Sequence, residues 1–138
     1  MRVGVPKEIK KQEHRVGLIP SSVKEFVLHG HEVMVERGAG AGIGFDDAAY
    51  QAAGAIVGAT PDEIFAKCDM IVKVKEPQAQ ECQMQREGQI LFTYLHLAAD
   101  RAQAEGLMQS GATCIAYETV TSDDGSLPLL KPMSEVAG

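Results

Sequence analysis

Lys75 and His96 each stand just beyond a short apolar run, in Val72-Lys73-Val74-Lys75-Glu76-Pro77 and Phe92-Thr93-Tyr94-Leu95-His96, and Arg15 lies one loop further on from a third, in Glu13-His14-Arg15-Val16-Gly17. A guanidinium offers a planar fork that takes a carboxylate in two hydrogen bonds, and an ammonium offers a compact charge to a carbonyl or second carboxylate oxygen. An imidazole is the simplest side chain for moving a proton near neutral pH. Gathered around one point, the three suit a small 2-oxo acid, with His96 as general acid and base. Lys7, Glu8 and Glu118 occupy comparable places after apolar runs. Each residue also has a plainer reading. Arg15 fits a solvated ion pair with Glu13 or Glu8, Lys75 a surface pair with Glu76 that is worth little, and His96 a hydrogen-bonded packing position.

Positioning such residues is the work of the elements before them. Strand-type runs are expected at Arg2 to Val5, Glu32 to Glu36, Ala55 to Val57, Met70 to Val74, Ile90 to Thr93 and Thr113 to Tyr117, separated by stretches of helical period. Ser21 or Ser22 is expected to cap a helix reaching His29, with Gly30 as its left-handed stop, and Asp46 or Asp47 to cap another ending at Gly54. Thr60-Pro61-Asp62-Glu63 spells a capping box with proline in the first turn. Further helices are expected over Ala79 to Arg86 and Asp100 to Ser110, and one beginning at a Ser134 cap. Strands alternating with helices predict a doubly wound α/β domain, a mainly parallel sheet with helices on both faces. In such sheets ligands bind beyond the carboxyl ends of the strands, where Arg15, Lys75 and His96 fall.

Two motifs invite stronger readings than their spacing allows. Gly38-Ala39-Gly40-Ala41-Gly42-Ile43-Gly44 follows a strand and precedes a helix, but a G-x-G-x-x-G series from Gly38, Gly40 or Gly42 would need glycine at Ile43, Phe45 or Asp47. Asp46 and Asp47 would also repel a pyrophosphate from that helix start. The fold is thus Rossmann-like without the dinucleotide fingerprint, and the run is expected to be a tight connection. His29-Gly30-His31 lacks the partners of a metal site, so no metal is expected.

The 138 residues suffice for one domain, and 45% hydrophobic with 23% charged residues is the composition of an ordinary globular chain. A net charge of -6 without a basic cluster argues against nucleic acid. No run is long and apolar enough for a membrane span, and three widely spaced cysteines suit reduced thiols, so a cytoplasmic protein is expected.

Several phrases resemble the N-terminal domain of the alanine dehydrogenase family: Met1 to Glu8 with Glu13-His14-Arg15-Val16, the run Gly38 to Phe45, Val72 to Pro77, Phe92 to Ala98, and Leu127 to Gly138. The resemblance spans the whole chain. A similar domain occurs in the alpha subunit of the proton-translocating nicotinamide nucleotide transhydrogenase, but Tyr94-Leu95-His96-Leu97 resembles the alanine dehydrogenase form. Lys131 departs from the smaller residue more usual before Pro-Met-Ser.

The resemblance implies that Arg15 and Lys75 hold pyruvate or L-alanine and that His96 is the proton donor and acceptor. It implies that Met133 lines the pocket near the nicotinamide and that Ser134 touches NAD. Residues 1–128 would be the substrate-binding domain and 129–138 the start of a truncated interdomain helix. The main NAD-binding domain, with a Gly-rich loop and a further catalytic aspartate, would lie outside this sequence. The reaction implied is L-alanine, NAD and water giving pyruvate, ammonium and NADH. The full-length protein would be a homo-oligomer, a hexamer, and the chain alone inactive. The alternatives are a transhydrogenase domain and a noncatalytic ligand-binding or assembly module.

Overall fold

The runs of Val, Ile and Met bounded by turns form six short strands: β1 (Arg2–Val5), β2 (Glu32–Glu36), β3 (Ile56–Ala59), β4 (Met70–Val72), β5 (Ile90–Thr93) and β6 (Thr113–Ala116). The computed structural model describes residues 1–138 and pairs all six in one parallel sheet, in the order β3-β2-β1-β4-β5-β6. Val3, Val5, Val33, Val35 and Val72 point to one face, where Val23 of α1 (Pro20–Leu28) and Tyr50 of α2 (Asp47–Ala52) complete a core. The intervening Met34, Ile71 and Leu91 point to the other. There they meet Ile64 and Phe65 of α3 (Pro61–Lys67), Cys82 of α4 (Ala79–Met84) and Leu107 of α5 (Arg101–Ser110). This period-two division puts helices on both faces. Each fully buried Val, Ile, Leu or Phe contributes about 1.5–3 kcal/mol relative to an exposed one.

The sheet order creates the edge on which the candidate residues lie. From β1 the chain turns through α1 towards β2, and from β4 it turns through α4 towards β5 on the opposite side. The loops following β1 and β4 therefore part at the carboxyl ends of two adjacent strands, the place where open α/β sheets bind ligands.

Several helix starts follow the sequence expectations. Asp46 accepts from the Ala49 amide at 2.8 Å, Asp100 accepts from that of Gln103 at 3.1 Å, and Thr60 and Glu63 make both hydrogen bonds of the capping box. Others do not. Ser21 and Ser22 lie inside α1, whose cap is Ile19 with no side-chain bond, because Pro20 presets the first helical φ and has no N–H to satisfy. Ser134 is not a cap either, for α6 (Leu130–Ala137) starts four residues earlier. Pro132 falls in its first turn, where a missing N–H costs nothing. β3 begins one residue later than expected and runs on to Ala59, β4 stops at Val72, and β6 gives way at Tyr117–Thr119 to a 3-10 turn. α2 and α4 each end two residues before the expected stop. All three cysteines are free, and no helix is long and apolar enough to cross a membrane.

Candidate functional site

The loop after β1 carries Arg15 and is clamped from two sides. Val16 is buried in the core beside α1, and the Tyr50 hydroxyl donates to the Leu18 carbonyl at 2.9 Å. Gly17 packs so closely on the end of β4 that a Cβ would lie 2.5 Å from the Val72 carbonyl oxygen. On the other side, a Cβ at Gly42 would lie 2.8 Å from the His14 carbonyl oxygen. The glycine-rich run therefore serves close backbone packing against the Arg15 loop. The Arg15 side chain is half exposed and donates through Nε and Nη2 to the two Glu13 carboxylate oxygens, at 2.7 and 2.9 Å. The ion pair with Glu13 is thus real, and it leaves the Nη1 and Nη2 edge of the guanidinium for a second carboxylate. The Arg15 hydrogen bond holds the Glu13 carboxyl below its ordinary range, and the Lys75 charge adds to the effect. Both cations act on one carboxylate.

The loop after β4 is fixed from below by a buried ionic triad. Lys73 donates to Glu8 at 2.7 Å and lies 2.9 Å from Glu81, and none of the three is more than 7% exposed. Glu8, from the β1 loop, also accepts the Val74 amide at 2.6 Å and the Lys75 amide at 3.4 Å. One carboxylate thereby straps the two diverging loops together. The Lys75 carbonyl accepts from the Thr93 hydroxyl at 2.7 Å, and its ammonium sits 4.8 Å from the centroid of the Tyr94 ring. A cation over an aromatic face at this distance is held by the ring's negative π surface.

Tyr94 is the hinge between the second and third candidates, since its hydroxyl lies 2.8 Å from Nδ1 of His96. With Nδ1 so engaged, Nε2 is the free pole of the imidazole. His96 is exposed and has a left-handed backbone, φ 47° and ψ 45°, with its amide donating to Glu118 at 2.9 Å. Tyr117 completes the surface. Its ring centroid is 6.1 Å from that of Tyr94, and its hydroxyl donates to the Val74 carbonyl at 2.9 Å and lies 3.6 Å from the Met133 sulfur. Burial pushes the Tyr117 phenol up, and the nearby Arg15 charge opposes it.

The structure joins Lys75 to His96 through Tyr94, and places Arg15 near enough to Tyr117, and Glu13 near enough to Lys75, for their charges to be felt along the same edge. Met133, half-buried on α6, is tied to this cluster through Tyr117, whereas Ser134 is exposed on the same helix. Two cavities lie beside the edge. One of about 350 Å³ backs the Arg15 loop, lined by Lys7, Glu8, His14 and the glycine-rich run, and one of about 700 Å³ lies between α4 and α5. Glu13 and Arg15 line the first as well, and neither is lined by Lys75 or His96. Tyr94 was visible in the sequence only as a member of a motif and Tyr117 only as a strand end, whereas Glu8 already stood out after an apolar run. The signal for Lys73 was a charge inside the apolar run Val72 to Val74. No three His, Cys, Asp or Glu side chains are grouped to hold a metal ion. His29 and His31 are engaged separately, with the Glu25 carbonyl and the Met1 amine.

Comparison with known proteins adds the family. The family model "Alanine dehydrogenase/PNT, N-terminal domain" matches residues 4–137. An alanine dehydrogenase of Halomonas elongata is 54% identical over 138 residues, all of this chain and 37% of that protein. The chain thus spans little more than a third of this relative's length. A solved L-alanine dehydrogenase superposes with a TM-score of 0.95 and 53% identity, covering 99% of this chain and 38% of the other. A transhydrogenase from Sinorhizobium meliloti superposes with 0.80 and 32% identity, covering 86% and 35%.

Proposed function

This chain belongs to the alanine dehydrogenase/PNT N-terminal domain family, and from that premise we propose that it is the substrate-binding part of an NAD-dependent alanine dehydrogenase. The reaction is oxidative deamination of L-alanine to pyruvate and ammonium. NAD supplies the hydride acceptor. The observation that carries the assignment is the linkage of an ammonium to an imidazole through one tyrosine, Lys75 over the Tyr94 ring and the Tyr94 hydroxyl on His96.

Arg15 takes the substrate carboxylate on the guanidinium edge that Glu13 leaves free, which fixes the orientation of the alpha carbon. Lys75 faces the oxygen that water brings to the imine carbon left by hydride transfer, and stabilises negative charge on it as the carbinolamine expels ammonia and that oxygen becomes the carbonyl of pyruvate. His96 accepts and returns the proton at Nε2, while Nδ1 stays on the Tyr94 hydroxyl, which can donate or accept and so serves either protonation state. Residues 1–128 form the substrate-binding unit, and residues 129–138 begin the connection to the part that grips most of the cofactor. In these 138 residues no strand leads into a G-x-G-x-x-G turn, and acidic residues crowd the start of α2, so the main cofactor grip lies elsewhere. Met133, packed on Tyr117, and exposed Ser134 on α6 suit a contact with the nicotinamide from this side. On the same premise the whole protein works in the cytoplasm as a homo-hexamer on a small-molecule substrate, with neither nucleic acid nor membrane as partner.

The likeness to the Sinorhizobium meliloti transhydrogenase favours one other reading, a domain for hydride exchange between two nucleotides. Assay of the whole protein separates them. Alanine-dependent NADH formation that disappears in His96→Ala supports the first. Hydride exchange between nucleotides without any alanine requirement supports the second, and near-normal turnover in His96→Ala removes the imidazole from the mechanism.

A further inference from the structure

We infer that Glu118 is a positioning residue, holding His96 in a left-handed backbone conformation that aims its imidazole at the substrate. The inference rests on the proposed role of His96 and adds the device that makes the role possible. Gln12 and His96 are the two residues other than glycine with positive φ. An L side chain enters that region rarely and stays there when its surroundings over-determine it.

Glu118 supplies that determination. It lies in the 3-10 turn after β6, on the neighbouring strand end, and its carboxylate reaches across to the β5 loop. Oε1 accepts the Leu95 amide at 3.1 Å and the His96 amide at 2.9 Å, and Oε2 lies 3.3 Å from the Leu95 amide. Two successive N–H groups thus converge on one anion, as in the backbone concavities that bind anions elsewhere.

Leu95 has other anchors, because its side chain is buried and its carbonyl accepts from Gln103 at 2.9 Å. His96 is exposed. Beyond Glu118 it is held by the Tyr94 hydroxyl on its ring and by the Ala99 amide on its carbonyl. Without Glu118 nothing restrains its amide, and the backbone can relax to negative φ, which swings the ring off the edge shared with Lys75. Glu118 acts only through His96, so its loss falls on the chemical step and spares the hold of Arg15 and Lys75 on the substrate.

The test combines turnover of the whole protein with amide and imidazole nitrogen NMR. In Glu118→Ala the Leu95 and His96 amide signals move, the imidazole loses its fixed tautomer, and kcat falls on the order of 10²-fold, as for a catalytic group misplaced by about an ångström. KM for pyruvate stays as in the parent. Glu118→Gln keeps a carbonyl oxygen at the length of Oε1 and recovers most of kcat, whereas Glu118→Asp is one methylene short and does not. This contrast also decides the matter if the alanine variant does not fold. Unmoved His96 signals in Glu118→Ala, or equal rates for the Gln and Asp variants, overturn the inference while leaving the proposed function intact. Signals that move with no change in turnover overturn the catalytic role of His96 itself, and with it the purpose assigned to Glu118.

Discussion

Adding one methyl group at Gly17 should disable the site without touching a charged residue. A Cβ there would lie 2.5 Å from the Val72 oxygen, 2.8 Å from the Val72 carbonyl carbon and 3.1 Å from the Lys73 nitrogen, where ordinary contact begins at 3.4 Å. All three neighbours are backbone at the end of β4, so no side chain can swing away. The Arg15 loop must retreat by most of an ångström, and overpacking of this kind costs about 1–3 kcal/mol. The retreat moves Arg15 away from Lys75, and a misplacement of that size can lower turnover by about 10²-fold. Gly17→Ala is therefore expected to lower the urea midpoint modestly while raising KM for pyruvate and lowering kcat/KM steeply. Urea titration followed by steady-state kinetics on the same preparation measures both. Unchanged KM and unchanged stability would mean that contact between the β1 loop and β4 does not position Arg15.

Three further outcomes follow from the charges and thiols. Lys73→Met leaves Glu8 and Glu81 buried and facing each other without their shared cation, and breaking a buried ion pair in this way costs about 3–5 kcal/mol; an unaltered urea midpoint would contradict it. Glu13 has a folded pKa held below its ordinary 4.5 by Arg15, so its contribution to stability is complete above that value and is lost as pH falls through the depressed one. The stability gap between the parent and Glu13→Gln should accordingly close only at acid pH, and a gap independent of pH in denaturant titrations would refute the pairing. Burial pushes the Cys68 thiol up to about 11, so it should resist thiol reagents at mildly alkaline pH until the chain unfolds, as mass spectrometry of labelled peptides would reveal.

Physical reasons divide what the sequence disclosed from what it hid. Strands such as Glu32–Glu36 and the capping box at Thr60 are local, set by alternation and by a hydrogen-bond exchange over three residues, and they were legible at once. The cap of α1 misled because Ser21 and Ser22 are good capping types, yet Pro20 before them needs no cap. The last helix was expected from a Ser134 cap, yet it begins at Leu130, with Pro132 tolerated in its first turn. Arg15, Lys75 and His96 could be proposed as candidates because strand ends are legible, but what fixes them joins distant residues. Lys73 meets Glu8 across 65 positions and the Glu118 carboxylate meets the His96 amide across 22. The left-handed backbone of His96 was only weakly marked by its residue type, since glycine would be the usual signal.

A crystal structure of the whole protein with pyruvate tests the central claim most directly. The account predicts the carboxylate on the Nη edge of Arg15, the carbonyl oxygen within hydrogen-bond reach of Lys75, and Nε2 of His96 facing the same carbon. Pyruvate bound away from this edge, with Arg15 still holding Glu13 alone and neither Lys75 nor His96 in contact, would contradict it.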